Sequence, residues 1–223
     1  MAAATDTVST ADETAAAAAA AAAGNNPVLL GLPSFVLGGI PLALFLLGYQ
    51  DGAIAGLMVN IILVSGTGLL ISAIWAIKLG AGAVGAIFGL FSSFWLSFAL
   101  LLLGTTHGWF GSSALEDTTE AAAANAAAAA GGTIVFVLSW TIAVAVLTLA
   151  TLRLPLAFSV LIFLVAVALF FVLMANLTAD TIWGTLAGYV ALAFSLLGVY
   201  IFVDAMGQAL GGKALPLGSA ILK

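Results

Sequence analysis

Long apolar runs, separated by short polar or glycine-containing turns, make up most of the chain from residue 28 onward. An α-helix crosses the hydrocarbon core of a bilayer in about 20 residues, which is close to the length of these runs. The runs predict six helices, near residues 28–48, 53–77, 81–104, 133–152, 156–177 and 182–203. The pattern therefore predicts an all-α integral membrane protein with six transmembrane helices.

Two segments lie outside the predicted spans. Residues 1–24 form an Ala-rich tail with three acidic residues but no Lys or Arg, so it lacks the basic region of a signal peptide. We predict that this tail is disordered, or helical in part, because an Ala tract favours helix but has little to pack against. Residues 105–132 form the one long connection, which we predict to lie on the outer side of the membrane.

The positions of the cations predict the orientation of the chain. Lys78 follows the second predicted span, Arg153 follows the fourth, and Lys213 and Lys223 follow the sixth. Lys and Arg are retained on the cytoplasmic side during membrane insertion. All four fall on one side of a six-span topology, so we predict a multi-pass protein of the cell membrane with both termini in the cytoplasm.

Composition narrows the possible functions. The chain is 64% apolar and 6% charged, which leaves too little polar surface for a soluble domain. It has no cysteine, one histidine and no basic patch, so we predict no metal, no cofactor and no nucleic-acid partner. No ionisable residue falls in the middle of a predicted span, as a retinal pigment, a proton pump or an intramembrane protease would require. We therefore predict that the protein is not an enzyme.

The first predicted helix has an unusual sequence. It starts with Asn26 and Pro27 and contains Pro33 and Pro41, which predicts a kinked or broken helix. Free amide N–H groups at such a helix start attract small anions, and Asn26 would add a neutral donor. Asn26 also fits a simple helix cap, with Pro27 as the first helical residue. The residues alone allow either role, or both.

Neutral hydroxyl groups are scattered through the predicted spans. Ser93 and Ser97 lie one turn apart on one helix face, as residues lining a narrow wet path would. Such hydroxyls also bond back to their own helix or join two helices. Glycines four residues apart, such as Gly184 and Gly188, predict close helix packing, although small residues are common in membrane helices in any case.

Three short motifs resemble one known family. The stretch NPVLLGLPSF from Asn26 to Phe35 resembles the N-P-A-P-L-G-L-x-x-F signature of the acetate uptake transporters, also called succinate-acetate permeases. FSSFW, which begins at Phe91, is similar to the Tyr-Gly-Ser-Phe-Trp segment of their third helix. ALPLG, which ends at Gly218, is similar to their C-terminal Leu-Pro-Ile-Gly. The resemblance runs from about Asn25 to the C-terminus and omits the tail and the long connection.

The resemblance implies passage of small monocarboxylates, chiefly acetate and also succinate, through a pore inside each subunit of a homo-hexamer. By motif, Asn26 would contact the carboxylate, with Ser93 as a second candidate substrate-binding residue. Phe35 and Phe91 would form an apolar constriction. The resemblance places its third member on the fifth helix, near Leu164 or Val165.

The chain also departs from the family pattern. Leu29 replaces the second proline of the signature, and Phe91 replaces a tyrosine, which removes a hydroxyl from the expected constriction. The family usually carries a Gln and then a Glu in its second helix, whereas residues 69–76 here are apolar apart from Ser72. These departures leave the substrate and any proton coupling open.

Two other functions fit the same residues. A pore for a small neutral solute such as urea, an amide or ammonia would also use six helices and neutral donors. A membrane scaffold without transport would explain the glycine pairs and the lack of charge inside the spans. Flux of a charged acid, flux of a neutral solute and no flux would distinguish the three.

Overall fold

The computed structural model describes residues 14–15, 24–50, 53–109 and 119–222. Six helical elements follow one another from Val28. They are α1, Val28–Leu46; α2, an α-helix Ala53–Asn60, a π-helical turn Ile61–Gly66 and an α-helix Thr67–Lys78; α3, Gly82–Thr106; α4, Thr119–Ala150 with a 3₁₀ turn Thr151–Arg153; α5, Leu156–Thr178; and α6, Thr181–Ala209.

All six are long and apolar enough to cross a membrane, which confirms the predicted fold class at that level. Of the predicted connection at residues 105–132, Thr105 and Thr106 belong to α3, residues 107–109 form a turn, and residues 119–132 are helical and belong to α4. The reason is the Ala content of residues 119–132, since Ala is the strongest helix former. Most of the Ala-rich tail, residues 110–118, Asp51 and Lys223 lie outside the described residues.

Helix α1 runs without interruption from Val28 to Leu46, although Pro33 and Pro41 lie inside it. The predicted break is therefore wrong, and a kink at the prolines stays a prediction. The helix starts as a capped helix should: Val28 N donates to Asn26 Oδ1 at 3.0 Å, with Pro27 at the first turn. Asn26 thus has the capping role that the sequence allowed.

The helices form an up-and-down bundle with both described ends of the chain at one end. Near this end Trp75 Nε1 donates to Asn25 Oδ1 at 3.0 Å, and Leu222 N donates to Leu152 O at 2.9 Å. We call this end of the bundle the terminal face. Helices α1, α3 and α5 all run away from it. Helix α1 packs most extensively against α6, whereas α4 packs mainly on α5 and exposes most of its surface.

Buried serines join α1, α2 and α3 at the π-helical turn. Ser65 Oγ donates to Ser34 O at 2.6 Å, and Ser92 Oγ donates to Gly66 O at 2.7 Å. A π-helical turn interrupts the regular i to i−4 pattern, so a carbonyl such as that of Gly66 needs an outside donor in an apolar environment. The hydroxyl groups of Ser65 and Ser92, which lie inside predicted spans, therefore join helices instead of lining a path.

The C-terminal segment from Leu210 to Leu222 is not helical and folds back across the terminal face. Ala157 N donates to Leu217 O at 2.9 Å, and Ile221 N donates to Leu152 O at 3.0 Å. Leu215 N donates to Asp204 Oδ1 at 2.7 Å. The segment is thereby fixed to the ends of α4, α5 and α6.

Only one glycine of the pair in α6 makes the predicted close contact. A Cβ on Gly188 would lie 2.8 Å from Leu47 Cγ and 3.2 Å from Ala43 O, whereas a Cβ on Gly184 would meet nothing within 4 Å. Gly188→Ala should therefore lower the free energy of unfolding by about 1–3 kcal/mol relative to Gly184→Ala, because both gain the same helix propensity but only one is overpacked. Equilibrium unfolding in mixed micelles measures the difference. Equal stability of the two variants would contradict the packing assigned to Gly188.

Candidate functional site

Three cavities lie one after another along α1, starting at the terminal face. The first, which we call the vestibule, has a volume of about 200 Å³. It is lined by three polar residues, Asn26, Asp204 and Gln208, and by apolar side chains that include Leu217 of the C-terminal segment. The vestibule is the polar mouth of the row.

The second cavity, which we call the first chamber, shares Val28 and Phe158 with the vestibule. It has a volume of about 110 Å³, and every residue that lines it is apolar. Leu161 and Ile162 of α5 belong to this lining. A solute that leaves the vestibule for this chamber exchanges polar partners for hydrocarbon.

The third cavity, the second chamber, shares Phe35 and Phe91 with the first chamber and has a volume of about 30 Å³. The two shared rings meet edge to face with centroids 5.1 Å apart, and the Phe194 ring lies 5.4 Å from that of Phe35. These three side chains are almost fully buried. They separate the two chambers, and we call them the aromatic constriction.

The row is long enough to cross the apolar part of a membrane. Along α1 it passes from Val28 at the vestibule to Leu46 at the second chamber. At about 1.5 Å per residue, the helix between them is about 27 Å long, close to the hydrocarbon thickness of about 30 Å. The contacting rings of Phe35 and Phe91 close the row near its middle.

Asn26 is positioned by its capping bond. Its Oδ1 accepts from Val28 N at 3.0 Å, which leaves the amide Nδ2 as a donor at the vestibule that the residue lines. The same bond that caps α1 thus holds the side chain in place. The capping and ligand-contacting roles that the sequence left open are compatible in this geometry.

The sequence analysis did not single out Asp204 and Gln208, because it predicted that the sixth helix ends near residue 203. Helix α6 continues to Ala209, and the Asp204 side chain is only 4% exposed. Oδ1 accepts from Leu215 N, and Oδ2 accepts from Gln208 Nε2 at 2.9 Å. The i, i+4 spacing of the two residues was the signal available, but their burial depends on the returning C-terminal segment.

The structure does not place Ser93 with Asn26. Ser93 is exposed on the outer side of α3, lines neither chamber, and its Oγ donates to Gly89 O at 2.9 Å. Ser97 likewise donates to the carbonyl of Ser93. Both hydroxyls thus bond back to their own helix, which is one of the two roles that the sequence allowed, and neither lines the row of cavities within the single chain.

The two candidates on α5 differ in position. Val165 is buried and lines the second chamber, next to the aromatic constriction. Leu164 is half-buried and lines neither chamber. No motif or spacing indicated Phe194, which lies beside Phe35 and lines the second chamber together with Val165. The role of Leu164 or Val165 in a constriction stays a prediction.

The fold and the cavities together define a polytopic α-helical membrane protein whose single chain carries a row of three cavities along α1. The sequence profile of the GPR1/FUN34/yaaH family matches residues 9–209. The chain belongs to this family, the acetate uptake transporter family, as the three motifs indicated. No curated protein matches the sequence.

A solved structure shows the same fold. The bacterial acetate channel SatP superposes with a TM-score of 0.71 at 21% sequence identity, over 86% of this chain and 98% of that one. The family and this structural relative are channels and transporters rather than enzymes.

Proposed function

We propose that the chain forms a narrow pathway for small monocarboxylates, acetate above all, through the row of cavities inside one subunit. The observation that carries the proposal is the arrangement itself: a polar vestibule with an asparagine donor leads to two apolar chambers separated by three aromatic rings. The family and the likeness to SatP support acetate as the solute. Succinate is the second acid that the family resemblance suggests.

The lining suggests how such a pathway selects its solute. A carboxylate would meet the Asn26 amide in the vestibule, while its methyl group faces Val28 and Phe158. In the first chamber it loses polar partners, so small acids with little charge to desolvate cross most easily. Passage then requires the Phe35 and Phe91 rings to separate, because their contact closes the row. Ring rotation is a side-chain motion and needs no change of fold.

We further propose that the protein lies in the cell membrane with the terminal face in the cytoplasm, as a homo-hexamer. Among the described cations, Lys78 and Arg153 are the last residues of α2 and α4, and Lys213 follows α6, so all three lie at the ends of even-numbered helices, which supports this orientation. The vestibule would then open toward the cytoplasm. Native mass spectrometry of the detergent-solubilised protein tests the oligomer, and accessibility of a cysteine introduced at residue 213 tests the orientation.

A pore for a small neutral solute remains the second candidate, and Asp204 favours it. A carboxylate in the vestibule repels anions but not urea, an amide or ammonia. The constriction also lacks the hydroxyl that a tyrosine at position 91 would supply.

Uptake of radiolabelled acetate into proteoliposomes at several pH values tests the proposal, with urea and succinate as competitors. Saturable acetate uptake that urea does not inhibit would support the monocarboxylate pathway. Urea flux without acetate flux would establish the neutral-solute pore. A folded protein that passes neither would be the membrane scaffold.

Asn26→Ala should reduce acetate uptake about tenfold, because it removes a hydrogen bond to a charged ligand. It should also destabilise the protein by about 0.5–2 kcal/mol through loss of the helix cap. Asn26→Asp keeps the capping oxygen but has no N–H donor. We therefore expect both variants to transport poorly and only the Ala variant to unfold more easily, as measured by uptake and thermal unfolding. Normal uptake by Asn26→Asp would remove Asn26 from the ligand-contacting residues.

A further inference from the structure

Two of the rings that close the row of cavities belong to helices that touch each other very little. Phe35 lies on α1 and Phe91 on α3, and both helices pack far more extensively against α2 than against each other. The two rings meet edge to face, but a single pair of rings contributes little compared with the packing of whole helices. The separation of the two rings is therefore determined mainly through α2.

The π-helical turn of α2 bonds to α1 beside the first of these rings. Ser65 Oγ donates at 2.6 Å to the carbonyl of Ser34, the residue before Phe35. Ser65 is completely buried, and a Cβ on Gly38 would lie 2.5 Å from its hydroxyl oxygen, so the backbone of α1 lies directly against this serine. The bond is made away from water, where a hydrogen bond is stronger than at a surface.

The same turn bonds to α3 beside the second ring. Ser92, the residue after Phe91, donates from its Oγ to the carbonyl of Gly66 at 2.7 Å. A Cβ on Gly66 would lie 2.7 Å from Leu96 Cγ, so α3 also approaches the turn closely. A π-helical turn is rare, and such turns occur frequently at functional sites. Here one turn of α2 holds the backbone next to both rings.

We propose that Ser65 and Ser92 are positioning residues, which fix the width of the aromatic constriction through the π-helical turn. The inference rests on the proposed function. Neither serine lines a chamber, so both act through the rings and not on the solute. With both bonds in place the backbones beside Phe35 and Phe91 stay together, and a solute passes only as far as ring rotation allows. Loss of either bond frees α1 or α3 to move from α2, which widens the opening for larger acids.

Ser65→Ala and Ser92→Ala each delete one of these bonds and remove a single oxygen atom. We expect each variant to raise uptake of propionate and lactate relative to acetate about fivefold, the factor that corresponds to one hydrogen bond of typical net strength. Competition against labelled acetate in proteoliposomes measures this preference. A serine with a purely structural role would lower the thermal unfolding midpoint and leave the preference unchanged.

Ser72→Ala is the matched control. Ser72 lies on α2 about two turns after Ser65 and is equally buried, but its Oγ donates to Gly68 O of its own helix at 2.9 Å. The control therefore loses a buried hydroxyl of the same chemistry without releasing a neighbouring helix. It should keep the size preference of the wild type.

A readout that needs no transport comes from replacement of Phe91 by 3-fluorophenylalanine in protein held in nanodiscs. The fluorine resonance should move in Ser65→Ala and in Ser92→Ala and stay in place in Ser72→Ala. An unchanged size preference in both variants at the turn, or an unmoved resonance, would overturn the positioning role. Absence of acetate uptake by the folded wild type would instead overturn the proposed function, and the fluorine comparison would still test whether the two serines position the ring.

Discussion

Phe91→Ala is expected to raise uptake of lactate and propionate relative to acetate by about tenfold or more. Phe91 and Phe35 are the two side chains common to both chambers, and their rings touch edge to face. Removal of the Phe91 ring joins the two chambers, so larger acids can pass between them. At such a steric limit, one extra methylene group in the solute changes the preference for one acid over another by about 10–200-fold. Competition by each acid against labelled acetate in proteoliposomes measures the change.

Phe98→Ala is the matched control for this change. Phe98 lies on the same helix, stacks on Phe94 and Phe136, and lines neither chamber. It should lose stability without a change in size selectivity. If Phe91→Ala folds and keeps the acetate preference of the wild type, the constriction lies elsewhere.

Asp204→Asn is expected to raise uptake of acetate, and to raise uptake of succinate far more. Both Asp204 oxygens accept hydrogen bonds from neutral N–H groups, as a carboxylate does, and the described cations Lys78, Arg153 and Lys213 are exposed. A negative charge at Asp204 repels a monoanion about 10 Å away by about 1.7 kcal/mol when the effective dielectric constant is about 20. Removal of this repulsion corresponds to a more than tenfold gain in uptake. A dianion is repelled twice as strongly, so its gain should be the square of the gain for acetate.

The substitution is well suited to this test because it leaves the packing intact. The oxygen of the introduced asparagine would still accept from Leu215 N, and the Gln208 amide can turn to offer its own oxygen to the new amide group. Urea uptake should not change, which separates charge from pore width. Equal gains for acetate and succinate, or none, would contradict a charge effect at the vestibule.

The apolar runs were sufficient to predict the helices, because the backbone inside a bilayer must be fully hydrogen-bonded and few structures other than an α-helix meet this requirement. The motif around Asn26 and the one at Phe91 led to residues that line the row of cavities. The start of α4 could not be read from hydropathy, since an Ala tract extends a helix beyond the hydrophobic thickness without changing the pattern.

The remaining site residues depend on packing that one sequence does not encode locally. Ser93 and Ser92 are neighbours of the same chemistry, yet Ser92 is buried between helices and Ser93 is exposed. In a helix that is apolar on every face, no periodicity distinguishes the side that meets a chamber. The burial of Asp204 depends on Leu215, eleven residues later, so it follows only from the tertiary structure.

The returning C-terminal segment bears on how the protein is handled in the laboratory. Leu217 lines the vestibule, and Ile221 and Leu222 are bound to Leu152 through their backbone amides. A purification tag or fluorescent reporter fused behind residue 223 would therefore be tethered beside the mouth of the row. Such a fusion could localise correctly and still report an altered transport rate, so a cleavable tag is the safer choice for transport assays.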